Sequence, residues 1–247
     1  MKKIIYFIEF LLVEFLFIIC KVIGYKSASN LGFFIGKNFG NFFRKKKSII
    51  ENLHKSKIVI DTSDNQFVNN VLGNYGRILA EYPFLKDFRK NKLEQFIRID
   101  GIENLDKIKI NNKPVVFISG HFNNFELMAM QIEKHGINLA AIYRPLNNVF
   151  LNKTMERIRT KYICRNQIRK GRSGTRQILE NLKKGNSIAL MIDQRVTEGI
   201  KIDFFGNLAS TTTIPAQIIK KYECDLVPIY IERLEKYNFK MYVSQPI

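Results

Sequence analysis

The stretch "SGHFNNFELMAM" sets His121 five positions ahead of Glu126, where a strand-like apolar run gives way to a helix-like one. A hydroxyl is a poor nucleophile at neutral pH, and an imidazole within hydrogen-bond reach can take its proton as it attacks. A carboxylate on the other ring nitrogen would fix the tautomer and stabilise the imidazolium that forms. Such a pair needs no protein serine, because the substrate supplies the hydroxyl. Two plainer readings compete: His121 as a loop imidazole, and Glu126 as the third residue of a helix whose N-cap is Asn123, a variant capping box. The spacing alone does not choose between them.

Those residues need a scaffold. "PVVFIS" (114–119), "LAAIY" (139–143), "SIALMI" (187–192) and "LVPIYI" (226–231) are short β-like runs. They alternate with helical segments such as "TRQILENLKKG", where Gly185 makes a natural C-cap. Upstream, "NQFVNNVLGNYGRILAEYPFL" has helical periodicity that Pro83 stops. Strands alternating with helices predict an α/β sheet with covered faces, and in such sheets ligands meet the loops that leave the strands' C-terminal ends. Ser119, Gly120 and His121 fall in one of these loops.

The first residues are different in kind. "IIYFIEFLLVEFLFIIC" (4–20) is apolar except for Glu9 and Glu14. As a helix it would be about 26 Å long, slightly short of a ~30 Å hydrocarbon core. The favoured expectation is a membrane anchor, with a signal peptide or a buried core helix as alternatives. After it, Leu31, Ile35, Phe39 and Phe42 recur at helical spacing beside Lys37 and the basic block Arg44 to Lys47. This pattern fits either an interfacial helix on an anionic leaflet or an ordinary amphipathic helix. If residues 4–20 span, the positive charge that follows places the remainder in the cytoplasm.

Forty Lys and Arg against 22 Asp and Glu give 247 residues a formal charge of +18, which favours an anionic partner. No zinc-finger spacing or RNA-binding aromatic motif accompanies it, so nucleic acid is the minor reading. The three cysteines are far apart with no CxxC, which argues against a disulfide framework or zinc site and fits a reducing compartment.

"SGHFNNFELMAM", "YRPLNNVFLNKTMERIR", "LKKGNSIALMIDQRVTEGIKIDFFG", "STTTIPA" and "LVPIYIERL" occur in this order, and together they resemble the bacterial lipid A biosynthesis (late) acyltransferase family. "NYGRILAEYPFL" and the apolar N-terminus resemble it too, so the likeness covers most of the chain. Two features depart from it: Phe125 stands where the family commonly has tryptophan, and the chain stops after "MYVSQPI" where members usually continue. A shortened chain or a fragment is therefore expected.

The resemblance implies a mixed central sheet flanked by helices, glycerolphosphate-acyltransferase-like, with an anchor over residues 1–26 and an acyltransferase domain over 27–247. It implies an inner-membrane enzyme on the cytoplasmic face that moves a fatty acyl chain from acyl carrier protein to a hydroxyl of a lipid A precursor. Both partners are anionic, which suits the positive charge. His121 is then the general base and Glu126 its orienting partner. Arg144 binds acceptor phosphate or the oxyanion, with a surface cation as the alternative. Asp193 shapes the site or binds polar substrate groups, while Gly206 and Thr212 turn the chain and line the pocket or are plain turn and core residues. No metal and no organic cofactor is expected, since the thioester is already activated. Two rivals stay open: an acyltransferase for another glycolipid or phospholipid, and a basic protein that binds membrane surfaces or nucleic acid, indifferent to His121 and salt-sensitive.

Overall fold

The computed structural model describes residues 2–42, 44–197 and 199–247. In chain order the elements are α1 (Lys2–Ile23), α2 (Tyr25–Phe39), α3 (Lys46–Ser56), α4 (Asp64–Glu81), α5 (Leu85–Arg89), β1 (Ile97–Asp100), α6 (Ile102–Asn111), β2 (Val116–Ser119), α7 (Glu126–Lys134) and β3 (Leu139–Tyr143). There follow α8 (Val149–Ile158), a π-helical turn (Arg159–Ile163), β4 (Asn166–Arg169), α9 (Arg172–Lys183), β5 (Ser187–Met191), β6 (Ile200–Phe204), β7 (Asn207–Thr211), α10 (Ile214–Tyr222), β8 (Leu226–Arg233) and β9 (Phe239–Val243). The chain divides into two compact units. One holds Leu85–Gln194, Thr212–Ile247 and the chain up to Val13, and the other holds Glu14–Phe84 and Arg195–Thr211.

The first unit is built on a seven-stranded sheet of order β1-β9-β8-β2-β5-β3-β4. The pairings β8–β2, β2–β5, β5–β3 and β3–β4 are all parallel, and only β8–β9 is antiparallel. This is the mixed, helix-flanked α/β sheet expected. Parallel strands covered on both faces must be apolar on both. Val116, Ala140 and Ile188 therefore enter one core layer with Ile178 and Leu182 of α9 and Ile218 of α10. Phe117, wholly buried, points to the opposite face, where α7 packs on β3 and β8. Gly185, at φ 79°, follows α9 and donates its N–H to Leu182 O at 2.9 Å, as its position after "LENLKK" predicts.

Residues 4–20 do fold as helix, within α1, but among the described residues no helix is long and apolar enough to cross a membrane. Lysines at both ends and the two glutamates dilute its hydropathy. Within the first unit Glu9 accepts a hydrogen bond from Asn148 Nδ2 at 3.0 Å, and the rings of Phe7 and Phe10 lie 5.4 and 6.1 Å from that of Phe150. Ile4, Ile5, Leu11 and Leu12 stay exposed.

In the second unit the buried seam of α2 is not the Leu31–Ile35–Phe39 stripe that its periodicity suggests. It is Ala28, Ser29, Gly32 and Gly36, with Phe34 and Phe39 exposed. A Cβ at Gly32 would collide with the Gly76 carbonyl, and one at Gly36 with the Leu72 carbonyl, so α2 and α4 approach backbone to backbone. Where they meet, Ser29 donates to Glu81 at 2.7 Å and Arg77 donates to Ser29 at 2.9 Å.

Candidate active site

Strands β2, β5 and β3 are adjacent and parallel, so their C-terminal ends share one edge of the sheet. His121 follows β2, Asp193 follows β5 and Arg144 follows β3. Ile192 N–H donates to Ser119 O at 2.9 Å, which keeps the first two ends level. Gly120 permits the approach, because a Cβ there would lie 3.3 Å from the Asp193 Cβ and 2.9 Å from the Phe122 ring.

Asp193 grips His121 with both oxygens. Its Oδ2 accepts from the backbone N–H of His121 at 2.9 Å and its Oδ1 pairs with Nδ1 at 2.8 Å. A carboxylate can only accept, so Nδ1 carries the proton and Nε2 keeps the lone pair. Nε2 lies 3.5 Å from the amide nitrogen of Gln194, a donor that fits this tautomer. The ring meets Phe125 edge-on, with centroids 4.9 Å apart, so the phenylalanine packs on the imidazole. The side chains of His121 and Asp193 keep 30% and 40% exposure, which leaves Nε2 within reach of a substrate.

Glu126 is committed elsewhere. Its Oε1 accepts from Arg159 Nε at 2.8 Å and Nη2 at 2.6 Å, with the two side chains only 7% and 15% exposed. Glu126 thus holds a buried ion pair with Arg159, while the Nδ1 of the imidazole is held by Asp193. A carboxylate removed from water at the first position of α7 requires a charged partner, and the guanidinium opening the π-helical turn supplies one. Nor is Asn123 the N-cap: α7 starts at Glu126 with Phe125 before it, and Asn123 takes φ 43° and donates from Nδ2 to Ile231 O at 3.2 Å. The left-handed residue turns the loop back onto β8, which moves the helix start two residues on.

Arg159 also lies 5.8 Å over the Tyr143 ring, and Tyr143 OH donates to Glu156 Oε1 at 2.5 Å. Burial, aided by that bond, raises the phenol's pKa, and the same bond lowers that of the Glu156 carboxyl. Beside this cluster Arg144 is exposed at the end of β3. Thr212 is half-buried and its hydroxyl accepts from Ile214 N–H at 3.3 Å, leading into α10. Gly206, in the second unit, turns the β6–β7 hairpin at φ 72° and donates its N–H to Asp203 at 3.2 Å. Reading the sequence for site residues passes over two that contact them, Arg159 beside Glu126 and Gln194 beside His121. Gln194 follows Asp193 directly, within the same "LMIDQR" stretch on which the resemblance rests. Arg159, among the charges of "KTMERIRTK", resembles a solvated helix face.

Compared with known proteins, residues 1–247 match the family model described as bacterial lipid A biosynthesis acyltransferase. The chain is also 22% identical over 181 residues to lipid A biosynthesis acyltransferase 2 of Shigella flexneri, an alignment covering 72% of this chain and 57% of that protein. It thus spans less than two thirds of the length of that relative.

Proposed function

Since the chain belongs to the bacterial lipid A biosynthesis acyltransferase family, we propose that it transfers a fatty acyl group from acyl carrier protein to a hydroxyl of a lipid A precursor. One observation carries this reading: His121 stands at the sheet edge with Nδ1 and its own N–H fixed by Asp193, so that its lone pair lies on Nε2, where Gln194 approaches only to 3.5 Å and a base can act. In the proposed reaction Nε2 takes the acceptor hydroxyl's proton while the oxygen adds to the thioester carbonyl. The tetrahedral intermediate then expels the thiolate, which takes the proton back from Nε2. Asp193 holds the tautomer and stabilises the imidazolium. Glu126 acts at one remove, fixing Arg159 behind the end of β3, in place of the direct dyad that the H-x4-E spacing suggests. Arg144 is proposed to bind acceptor phosphate or the developing oxyanion. Thr212, at the start of α10, is proposed to line the acceptor site, and Gly206 to shape the hairpin turn. The thioester's own activation removes any need for a metal or organic cofactor.

The formal charge of +18 suits the acidic donor and the phosphorylated acceptor. Attachment to the cytoplasmic face of the inner membrane is proposed to run through the exposed apolar residues of α1, lying in the interface. The deciding experiment is His121→Ala in an acyl-carrier-protein-dependent transfer assay. A loss of about 10²–10⁴-fold in kcat with an unchanged circular dichroism spectrum is expected; activity within a fewfold of wild type would remove the base from the scheme.

A further inference from the structure

The β6–β7 hairpin breaks the usual chemistry of a two-residue turn. Such turns require positive φ at both central positions, which selects Asn-Gly or Asp-Gly. Here the pair is Phe205-Gly206, at φ 55° and 72°. A bulky residue in the left-handed region is strained, and strain of this kind collects at functional sites. The ring gains no burial in return: Phe205 is exposed, and its neighbour Phe204, 4.6 Å away between centroids, is 64% exposed.

The strands repeat the anomaly. Ile200, Ile202 and Phe204 alternate onto one face, the pattern of a half-buried strand, yet all three are exposed, and Leu208 is 73% exposed. Within the same unit the turn meets the end of α3. Asn207 Nδ2 donates to Lys55 O at 3.4 Å, and a Cβ on Gly206 would lie 3.5 Å from Lys57 Nζ. Directly after Lys57 come Ile58 and Val59, the latter 91% exposed. Lys55 and Lys57 therefore flank an apolar tip, while the acid within the turn, Asp203, is occupied by the Gly206 N–H.

We propose that this tip is a membrane-docking surface that sets Phe204, Phe205 and Leu208 among the acyl chains of an anionic bilayer and its lysines among the lipid phosphates. Exposed aromatics flanked by lysine match that interface on both counts, apolar area below and charge at the headgroups. The surface is separate from α1 and holds no residue of the sheet edge, so it stands whether or not the transfer reaction does.

The test is a lipid titration of the full chain with vesicles of phosphatidylethanolamine and phosphatidylglycerol, against neutral phosphatidylcholine vesicles. Phe205→Asn combined with Phe204→Ser restores ordinary turn chemistry, so folding is retained while partition into anionic vesicles falls about 10-fold or more. Lys55→Gln with Lys57→Gln lowers partition about 10-fold into anionic vesicles and leaves neutral ones unchanged. Partition of both variants within twofold of wild type overturns the proposal. So does a wild-type dimer, by light scattering, that Phe205→Asn dissociates, since a second copy would then cover the tip. His121→Ala, scored for transfer alone, keeps failure of the enzymatic reading distinct from failure of this one.

Discussion

Two carboxylates stand near the same sheet edge and lead opposite lives. Asp193, beyond β5, is 40% exposed and holds an imidazole, whereas Glu126, at the start of α7, is 7% exposed and holds a guanidinium. Burial separates them. A carboxylate out of water needs a partner that never loses its charge, and arginine is that partner. Near solvent, a carboxylate can hold a group whose charge comes and goes, as a general base requires. In the proposed reaction catalysis and architecture are divided between these two acids, whereas the sequence reading gives the orienting role to Glu126 and a shaping or binding role to Asp193.

The comparison breaks most sharply under a double dissociation. Asp193→Asn presents an amide to Nδ1 and favours the wrong tautomer, so kcat should fall about 10²–10⁴-fold while stability stays within about 1 kcal/mol. Arg159→Ala leaves the buried Glu126 without its cation, so urea unfolding should show a loss of about 3–5 kcal/mol. Arg159→Lys restores part of that, since charge returns but the two-pronged contact does not. The opposite pattern, with Asp193→Asn active and Glu126→Gln stable but inactive, would return the orienting role to Glu126.

What the sequence revealed of this division follows from how each element is buried. The strand runs at 114–119, 139–143, 187–192 and 226–231 were readable because strands covered on both faces are continuously apolar. "IRID" of β1 and "NQIR" of β4, at the two edges of the sheet, alternate with polar residues and were passed over. The buried seam of α2 was not legible because glycines, which carry no hydropathy signal, make the contact, and the stripe that an ordinary amphipathic helix would bury keeps Phe39 exposed. His121 was found by position, at a strand end, and Asp193 through the family resemblance, but their pairing spans 72 residues and depends on β2 lying beside β5. The nearer acid, five residues away, offered a local pattern that the fold uses otherwise. The resemblance that led to the family is borne out over the whole chain.

A smaller effect is expected at Arg144, which is exposed one residue beyond β3 and next to the Tyr143 that Arg159 covers. Arg144→Lys keeps charge and loses the planar fork. If it binds phosphate in ground and transition states alike, the KM for the lipid acceptor rises about 10-fold with kcat preserved. A fall in kcat at constant KM places it on the oxyanion instead. Unchanged kinetics for both Arg144→Lys and Arg144→Ala would leave it a solvated cation and reduce the site to the His121–Asp193 pair.

The smallest effect probes the structural half of the comparison, through Tyr143→Phe. That change removes the hydrogen bond to Glu156 and leaves the ring under Arg159 in place, so about 1 kcal/mol of stability should be lost near neutral pH. The direction with pH follows from the two shifts. The Glu156 carboxyl titrates lower in the folded chain because Tyr143 donates to its charged form, so this contribution is present above the ordinary carboxylate range and fades as pH falls through the folded value. Tyr143 titrates higher, chiefly from burial and then from the bond to Glu156, so its contribution is present below the ordinary phenol pKa and fades as pH rises through the folded one. The gap between wild type and Tyr143→Phe, measured by urea unfolding, should therefore be widest near neutral pH and narrow towards both acid and strongly alkaline conditions. Transfer activity should change by less than about threefold, because Asp193 keeps its hold on His121 whether or not the phenol is present. A large loss of activity at unchanged stability would show that the cluster of Tyr143, Glu156 and Arg159 acts on the reaction directly, and the division between the two carboxylates would no longer hold.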